Sequence, residues 1–207
     1  MLIIGLTGSI GMGKSTAAAR FRAHGIAVFD ADAEVHALYR DALAVAQIEA
    51  AFPGVTRDAS VDRQKLLAAL LATDGGFARL EAIVHPLVRE RERAFLQREH
   101  DRGAQLAVLE IPLLFETGGN ALVDVTLVLS APADVQRQRV MARPGMTEAK
   151  LAELLGRQLP DAQKRARADF VVDTSGSVPE TGALIDKLIA QLSGRDGSAY
   201  QRHWARA

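Results

Sequence analysis

The residues best suited to chemistry come early in the chain. From Gly8 the sequence runs GSIGMGKS to Ser15, followed by Thr16, and fits the spacing G-x-x-x-x-G-K-[ST]. Glycines at positions 8, 11 and 13 permit backbone conformations closed to other residues and leave no Cβ in the way, so successive amide N–H groups can turn inward around an anion. A helix starting there aims its unsatisfied N–H groups and partial positive charge at the same place. Lys14 adds a full charge that can reach the β- and γ-phosphates, and the Ser15 hydroxyl is placed to ligate Mg²⁺. Gly8, Gly11, Met12, Gly13, Lys14, Ser15 and Thr16 are therefore the expected triphosphate-binding residues, with Ser15 as metal ligand.

Such a loop does not separate kinases from GTPases or motor ATPases. A guanine-reading N-K-x-D segment is impossible, because the only asparagine, Asn120, is followed by Ala121 and Leu122. Carboxylates supply the next clue. An apolar run ends in Phe29-Asp30-Ala31-Asp32; on a strand end, residues two apart share a face, and either aspartate can take the proton of an attacking hydroxyl. The plainer alternative is that either one caps the following helix. Glu110 ends another apolar run and Glu116 closes Pro112-Leu-Leu-Phe-Glu116; either can hold water in a Mg²⁺ shell, and Glu110 fits better by position. Arg139 and Arg143 share a face at helical spacing, where they serve a solvated surface or close over phosphates. His85, before Pro86, has no second His or Cys at ligand spacing, so a metal role is disfavoured.

These residues need a frame. The opening run Leu2 to Leu6, Ile26 to Phe29, Leu106 to Leu109, Val125 to Leu129 and Phe170 to Val172 all look like short strands without period-two alternation. That pattern suits a sheet buried on both faces. Helical stretches separate them at Lys14 to His24, Asp134 to Arg143 and Glu180 to Leu192, so the expected fold is α/β: a three-layer α/β/α phosphate-loop core on a five-stranded parallel sheet. The expected core comprises residues 1–32, 103–142 and 168–192. Residues 33–102 contain no convincing strand and form an inserted helical substrate lobe; 143–167 form a mobile lid; 193–207 form a loose tail.

Composition limits the function classes. Apolar residues make up 48% and charged residues 24%, as in an ordinary globular domain. Lysine plus arginine equals aspartate plus glutamate at 25 each, so no global field favours nucleic acid or anionic lipid as partner. Cysteine is absent, which removes disulfides and thiolate chemistry together. The opening apolar run is too short for a membrane span and lacks the basic start of a signal peptide, so a cytoplasmic location is expected.

Several segments in order resemble the dephospho-CoA kinase family: Gly5-Leu-Thr-Gly-Ser-Ile-Gly-Met-Gly-Lys-Ser-Thr16, Asp30-Ala-Asp32, His85-Pro86, Pro112-Leu-Leu-Phe-Glu116, Gln136-x-x-Arg139-x-x-x-Arg143 and Ala168-Asp169-Phe-Val-Val-Asp173. The resemblance implies transfer of the γ-phosphoryl of ATP to the ribose 3′-hydroxyl of dephospho-coenzyme A, with Mg²⁺, in a monomer or small homo-oligomer. It implies Asp32 as general base, Lys14, Arg139 and Arg143 as charge-stabilising groups, and Thr7 on the acceptor side of the loop. It also implies His85 as a lobe or substrate-site residue. Two positions depart from the family pattern: Ser9 stands where glycine is common, harmless if its φ is negative, and Thr174 stands where asparagine is common, beside the expected adenine pocket. The same core also serves nucleoside and sugar kinases and, in another class, nucleotide-driven switches.

Overall fold

The computed structural model describes residues Met1 to Ala205. In chain order its main elements are β1 (Leu2–Thr7), α1 (Lys14–Ala23), β2 (Ala27–Asp30), α2 (Ala31–Leu38), α3 (Ala42–Ala51), β3 (Thr56–Arg57), β4 (Ser60–Val61), α4 (Arg63–Ala72) and α5 (Gly76–Asp101). There follow β5 (Leu106–Glu110), β6 (Val125–Ser130), α6 (Ala133–Met141), α7 (Glu148–Gly156), α8 (Asp161–Arg167), β7 (Phe170–Asp173) and α9 (Val178–Leu192). They fall into two compact units, one of Met1–Phe29 with the chain from Leu96 onward, the other of Asp30–Phe95.

The first unit holds the sheet expected from the apolar runs, in the order β2-β5-β1-β6-β7. The pairs β1–β5, β1–β6 and β6–β7 are parallel. Every residue of β1, β5 and β6 is buried, which is why their sequences lack alternation. Against one face pack Ala17, Ala18 and Phe21 of α1 and Ile185, Leu188, Ile189 and Leu192 of α9, meeting Leu2, Ile4 and Leu6 of β1. Full burial of a side chain such as Phe21 stabilises the unit by about 1.5–3 kcal/mol. The two helices are also tied by Arg20, whose guanidinium donates to both oxygens of Asp186, and His24 Nε2 lies 2.8 Å from the same carboxylate. Helix α9 starts with a capping box: the Ser177 hydroxyl accepts from Glu180 N–H and the Glu180 carboxylate from Ser177 N–H.

The stretch from Ser193, expected to be loose, is exposed from Ser193 to Asp196 but anchored farther on. Tyr200 and Trp204 are 3% and 1% exposed. Tyr200 stacks on His100 and donates to Gln97, while Trp204 Nε1 donates to the Leu122 carbonyl at 2.8 Å. Asp124 takes N–H bonds from Ile3 on one oxygen and from Ser198 and Ala199 on the other. The Gly, Ser and Arg content of this stretch concealed two aromatic anchors. Arg206 and Ala207, the remainder of the expected tail, lie outside the described residues.

The second unit is chiefly helical. Leu38, Ala44, Ile48, Phe52, Val55, Val61, Leu66, Leu70 and Val84 form its core. Aspartates open three helices: Asp30, Asp41 and Asp62 each accept from backbone N–H groups in the first turn. Arg91 bridges Glu34 and Asp41 at 2.9 and 3.2 Å. A small antiparallel hairpin, β3–β4, interrupts the helices where no strand was expected. Its strands have two residues each, too few for a periodic signal, and Asp58 and Ala59 turn it at φ 49° and 58°.

Candidate active site

Strand β1 delivers the chain from the middle of the sheet into the glycine loop. Its last residues pair with the carboxyl ends of both neighbours, Leu6 with Glu110 and Thr7 with Val128. In a parallel sheet this edge is where ligands bind. Each glycine has its own reason. A Cβ on Gly8 would lie 2.8 Å from the Leu129 carbonyl, so there the requirement is close approach. Gly11 has φ 80°, and its Cβ would fall 2.6 Å from Val140 Cγ2. Gly13, at φ 81°, is the N-cap of α1 and offers no side-chain acceptor. Helix α1 therefore begins with its first-turn N–H groups facing the loop, the arrangement that favours an anion. Ser9 is buried and its φ is not positive, so the extra Cβ is accommodated without strain.

Lys14, the first residue of α1, lies back along the loop: its Nζ donates to Gly8 O at 2.7 Å and approaches Ser9 O at 3.4 Å. Ser15 is exposed in the first turn, and Thr16 follows, partly buried. Met12 is buried, with Sδ against the Ala131 amide at 3.1 Å. Glu110 is 7% exposed at the end of β5, beside Leu6.

Thr174 joins the loop to β6 and α6. Its Oγ1 lies 3.2 Å from both Met12 O and Ser130 O, and Arg139 donates to its hydroxyl at 3.3 Å and to its carbonyl at 2.5 Å. Arg139 is thereby held at the carboxyl end of β7. Arg143 differs: α6 stops at Met141, so Arg143 lies in the turn beyond it, exposed, and the helical face that it was expected to share with Arg139 does not extend that far. Met12, Ser130, Gln136, Asp161, Arg165 and Asp173 are among the residues lining a cleft of about 370 Å³ beside the loop. Asp173 has its pKa held below the usual aspartate value, first by the Ser175 N–H and then by its hydroxyl, with Arg165 and Arg139 adding positive charge.

Thr7 is fully buried and its hydroxyl donates to Pro112 O at 3.0 Å. The same carbonyl accepts from Lys164 at 3.0 Å. Lys164 has no exposed surface and pairs with Glu116 at 3.0 Å, and the same oxygen of Glu116 accepts from Leu159 N–H at 2.7 Å. Glu116 Oε1 is thus engaged in structure, while Glu110 stands at the loop-side end of β5. Sequence reasoning placed Gln163-Lys-Arg-Ala-Arg167 in the mobile lid and gave Lys164 no partner, because nothing local in that segment signals a buried charge pair.

Asp32 and His85 belong to the second unit. Asp30 ends β2 and accepts from Ala33 N–H at 2.9 Å as the cap of α2, so capping is its observed role. Asp32 lies in the first turn of α2 rather than on a strand, which removes the two-apart strand argument for the pair. His85 is exposed on α5. It precedes Pro86, which has no N–H to offer the preceding turn of the helix.

Residues 2–180 match the family model for dephospho-CoA kinase. The chain belongs to the dephospho-CoA kinase family. It is 52% identical to a dephospho-CoA kinase of Mesorhizobium japonicum over 96% of this chain and all of that one. It is 51% identical to one of Brucella melitensis, over 96% and 99%. Among solved structures, TT1252 from Thermus thermophilus superimposes with a TM-score of 0.79 at 36% identity, covering 93% and 98% of the two chains. A dephospho-CoA kinase from Campylobacter jejuni, at 22% identity and a TM-score of 0.64 over 93% and 98%, shares the fold.

Proposed function

We infer that this chain transfers the γ-phosphoryl group of ATP to the 3′-hydroxyl of the ribose in dephospho-coenzyme A, yielding coenzyme A and ADP. The observation that carries the reading is the glycine loop with Lys14 laid along it at the ligand-binding edge of the sheet, in a chain that matches this family over residues 2–180.

Lys14, with the amides of Gly11 and Gly13 and that of Ser15 opening α1, holds the β- and γ-phosphates; Met12 and Thr16 shape the site through their N–H bonds to Ser9 O and Gly13 O, and Gly8 lets the loop pass close to β6. The exposed hydroxyl of Ser15 and the carboxylate of Glu110 are hard oxygen donors suited to Mg²⁺ and its water shell. When bound, the ion offsets negative charge shared between the β- and γ-phosphates. Asp32 accepts the proton of the attacking 3′-hydroxyl, and His85 belongs to the acceptor side; their place in the family's pattern supports both roles. Arg139 stabilises charge from the β7 side, and Arg143, on the turn leading into α7, approaches the phosphates when that segment closes. Thr7 holds the Pro112 turn rather than meeting the acceptor with its hydroxyl.

No helix among the described residues is long and apolar enough to cross a membrane. We place the enzyme in the cytoplasm, working as a monomer on small molecules.

A panel of hydroxyl acceptors with labelled ATP tests the assignment. Label should appear in coenzyme A when dephospho-CoA is present. Labelling of a nucleoside or sugar with none of dephospho-CoA would replace the substrate, and rapid hydrolysis without any labelled acceptor would point to a switch.

A further inference from the structure

The tip of the phosphate loop is held by two glutamines from different segments. Ile10 N–H donates to Gln158 Oε1 at 3.3 Å, and Ile10 O accepts from Gln136 Nε2 at 2.8 Å. Gln136 is 7% exposed on α6, and Gln158 follows the end of α7.

These two bonds act on two successive peptide planes. In a trans peptide the C=O and the following N–H point in opposite directions. By holding Ile10 O, Gln136 turns the Gly11 N–H away from α6. By holding Ile10 N–H, Gln158 turns the Ser9 carbonyl away from itself. That carbonyl accepts from Met12 N–H at 3.2 Å and faces Lys14 Nζ at 3.4 Å. The glutamines therefore set the direction of a loop amide and of a carbonyl beside the catalytic ammonium, without reaching either group themselves. Glycine at position 11 lets its plane rotate cheaply, so an external hold has an effect there that a stiffer residue would mask.

Gln158 is itself fixed. Leu159, the next residue, donates to Glu116, and Glu116 is paired with buried Lys164. Asp161 accepts from the Ser130 hydroxyl at 2.7 Å. The part of the expected lid from Gln158 onward is thus fastened to the core beside the loop.

We propose that Gln136 and Gln158 are positioning residues for phosphate binding, and that Gln158 links the α7 segment to the shape of the loop. The proposal rests on ATP as the donor and is independent of which acceptor is used.

The test is titration calorimetry of ATP and AMP, without acceptor, on Gln158→Leu and Gln136→Leu. Leucine keeps the side-chain bulk and removes the hydrogen bond. Loss of one such bond should weaken ATP binding roughly 3- to 10-fold, while AMP, whose single phosphate does not extend along the loop, stays within about twofold. Gln158 is partly exposed, so its variant should keep the wild-type melting temperature and decides the matter even if Gln136→Leu fails to fold. Equal weakening of ATP and AMP would reduce the glutamines to general scaffold, and unchanged ATP affinity in Gln158→Leu would overturn the link. A wrong acceptor leaves these titrations as expected and shows only in the acceptor panel.

Discussion

Lys164 Nζ lies 3.0 Å from Glu116 Oε1, and the lysine side chain has no exposed surface. Removing one partner leaves a buried charge without its counterpart, which typically costs about 3–5 kcal/mol. Lys164→Met should therefore destabilise the chain strongly in urea unfolding. Adding Glu116→Gln removes the orphaned charge and keeps an acceptor for Leu159 N–H, so the double variant should regain much of the loss. Additive losses would show that the pair acts through its two sites separately.

Asp32 is the proposed base. Asparagine has the same size and cannot take up a proton, so Asp32→Asn should lower kcat roughly 100-fold or more while leaving the KM for ATP within about twofold. Steady-state kinetics with dephospho-CoA measures both, and turnover near wild type would remove Asp32 from the role.

At Gly11 two penalties coincide: φ is 80°, and a Cβ would lie 2.6 Å from Val140 Cγ2. The left-handed conformation alone costs an L-residue about 1–2 kcal/mol, and the contact adds to it. Gly11→Ala should lose more stability than Gly25→Ala, where φ is 72° and nothing lies within 4 Å. Only the Gly11 variant should also lose ATP affinity. Thermal melts and an ATP titration of both variants separate the contributions.

Asp186 has its pKa lowered from the ordinary aspartate value of 3.8 to about 2, chiefly by its hydrogen bond from Arg20 and further by His24. A folded-state pKa below the unfolded one contributes stability that is present above the unfolded value and lost as pH falls through the folded value. The α1–α9 tie should accordingly weaken between about pH 4 and pH 2. Asp186→Asn should flatten the fall in stability across that window; an unchanged pH profile would show that the carboxylate contributes nothing there.

The phosphate loop and the central strands were legible because their requirements are local. Glycine spacing exposes a loop, and a short run of buried apolar residues such as Val125 to Leu129 exposes a strand. The rest depended on pairing across the chain. Lys164 was expected only as part of the mobile lid 143–167, because its partners, the Glu116 carboxylate and the Pro112 carbonyl, lie about fifty residues earlier. Tyr200 and Trp204 looked loose until His100 and the Leu122 carbonyl gave them surfaces to pack on. Arg143 missed its helical face for a local reason: Pro144 disfavours α-helical backbone at the residue before it, a signal that the sequence did contain. Thr174 stood out only as a departure; its contacts with Met12, Ser130 and Arg139 show what a threonine does at that place.

The strand order carries a consequence for biosynthesis. Strand β1 lies in the middle of the sheet, yet its partners begin at Leu106 and Val125. At ribosomal speeds of roughly 5–20 residues per second, its six apolar-rich residues wait on the order of 5–20 s for a neighbour. The intervening residues 30–95 have a core of their own and, being chiefly helical and local in their contacts, can fold during that interval. A nascent chain stalled before Leu106 should thus carry a folded helical unit behind an unpaired, aggregation-prone strand, the state in which a chaperone would be most needed.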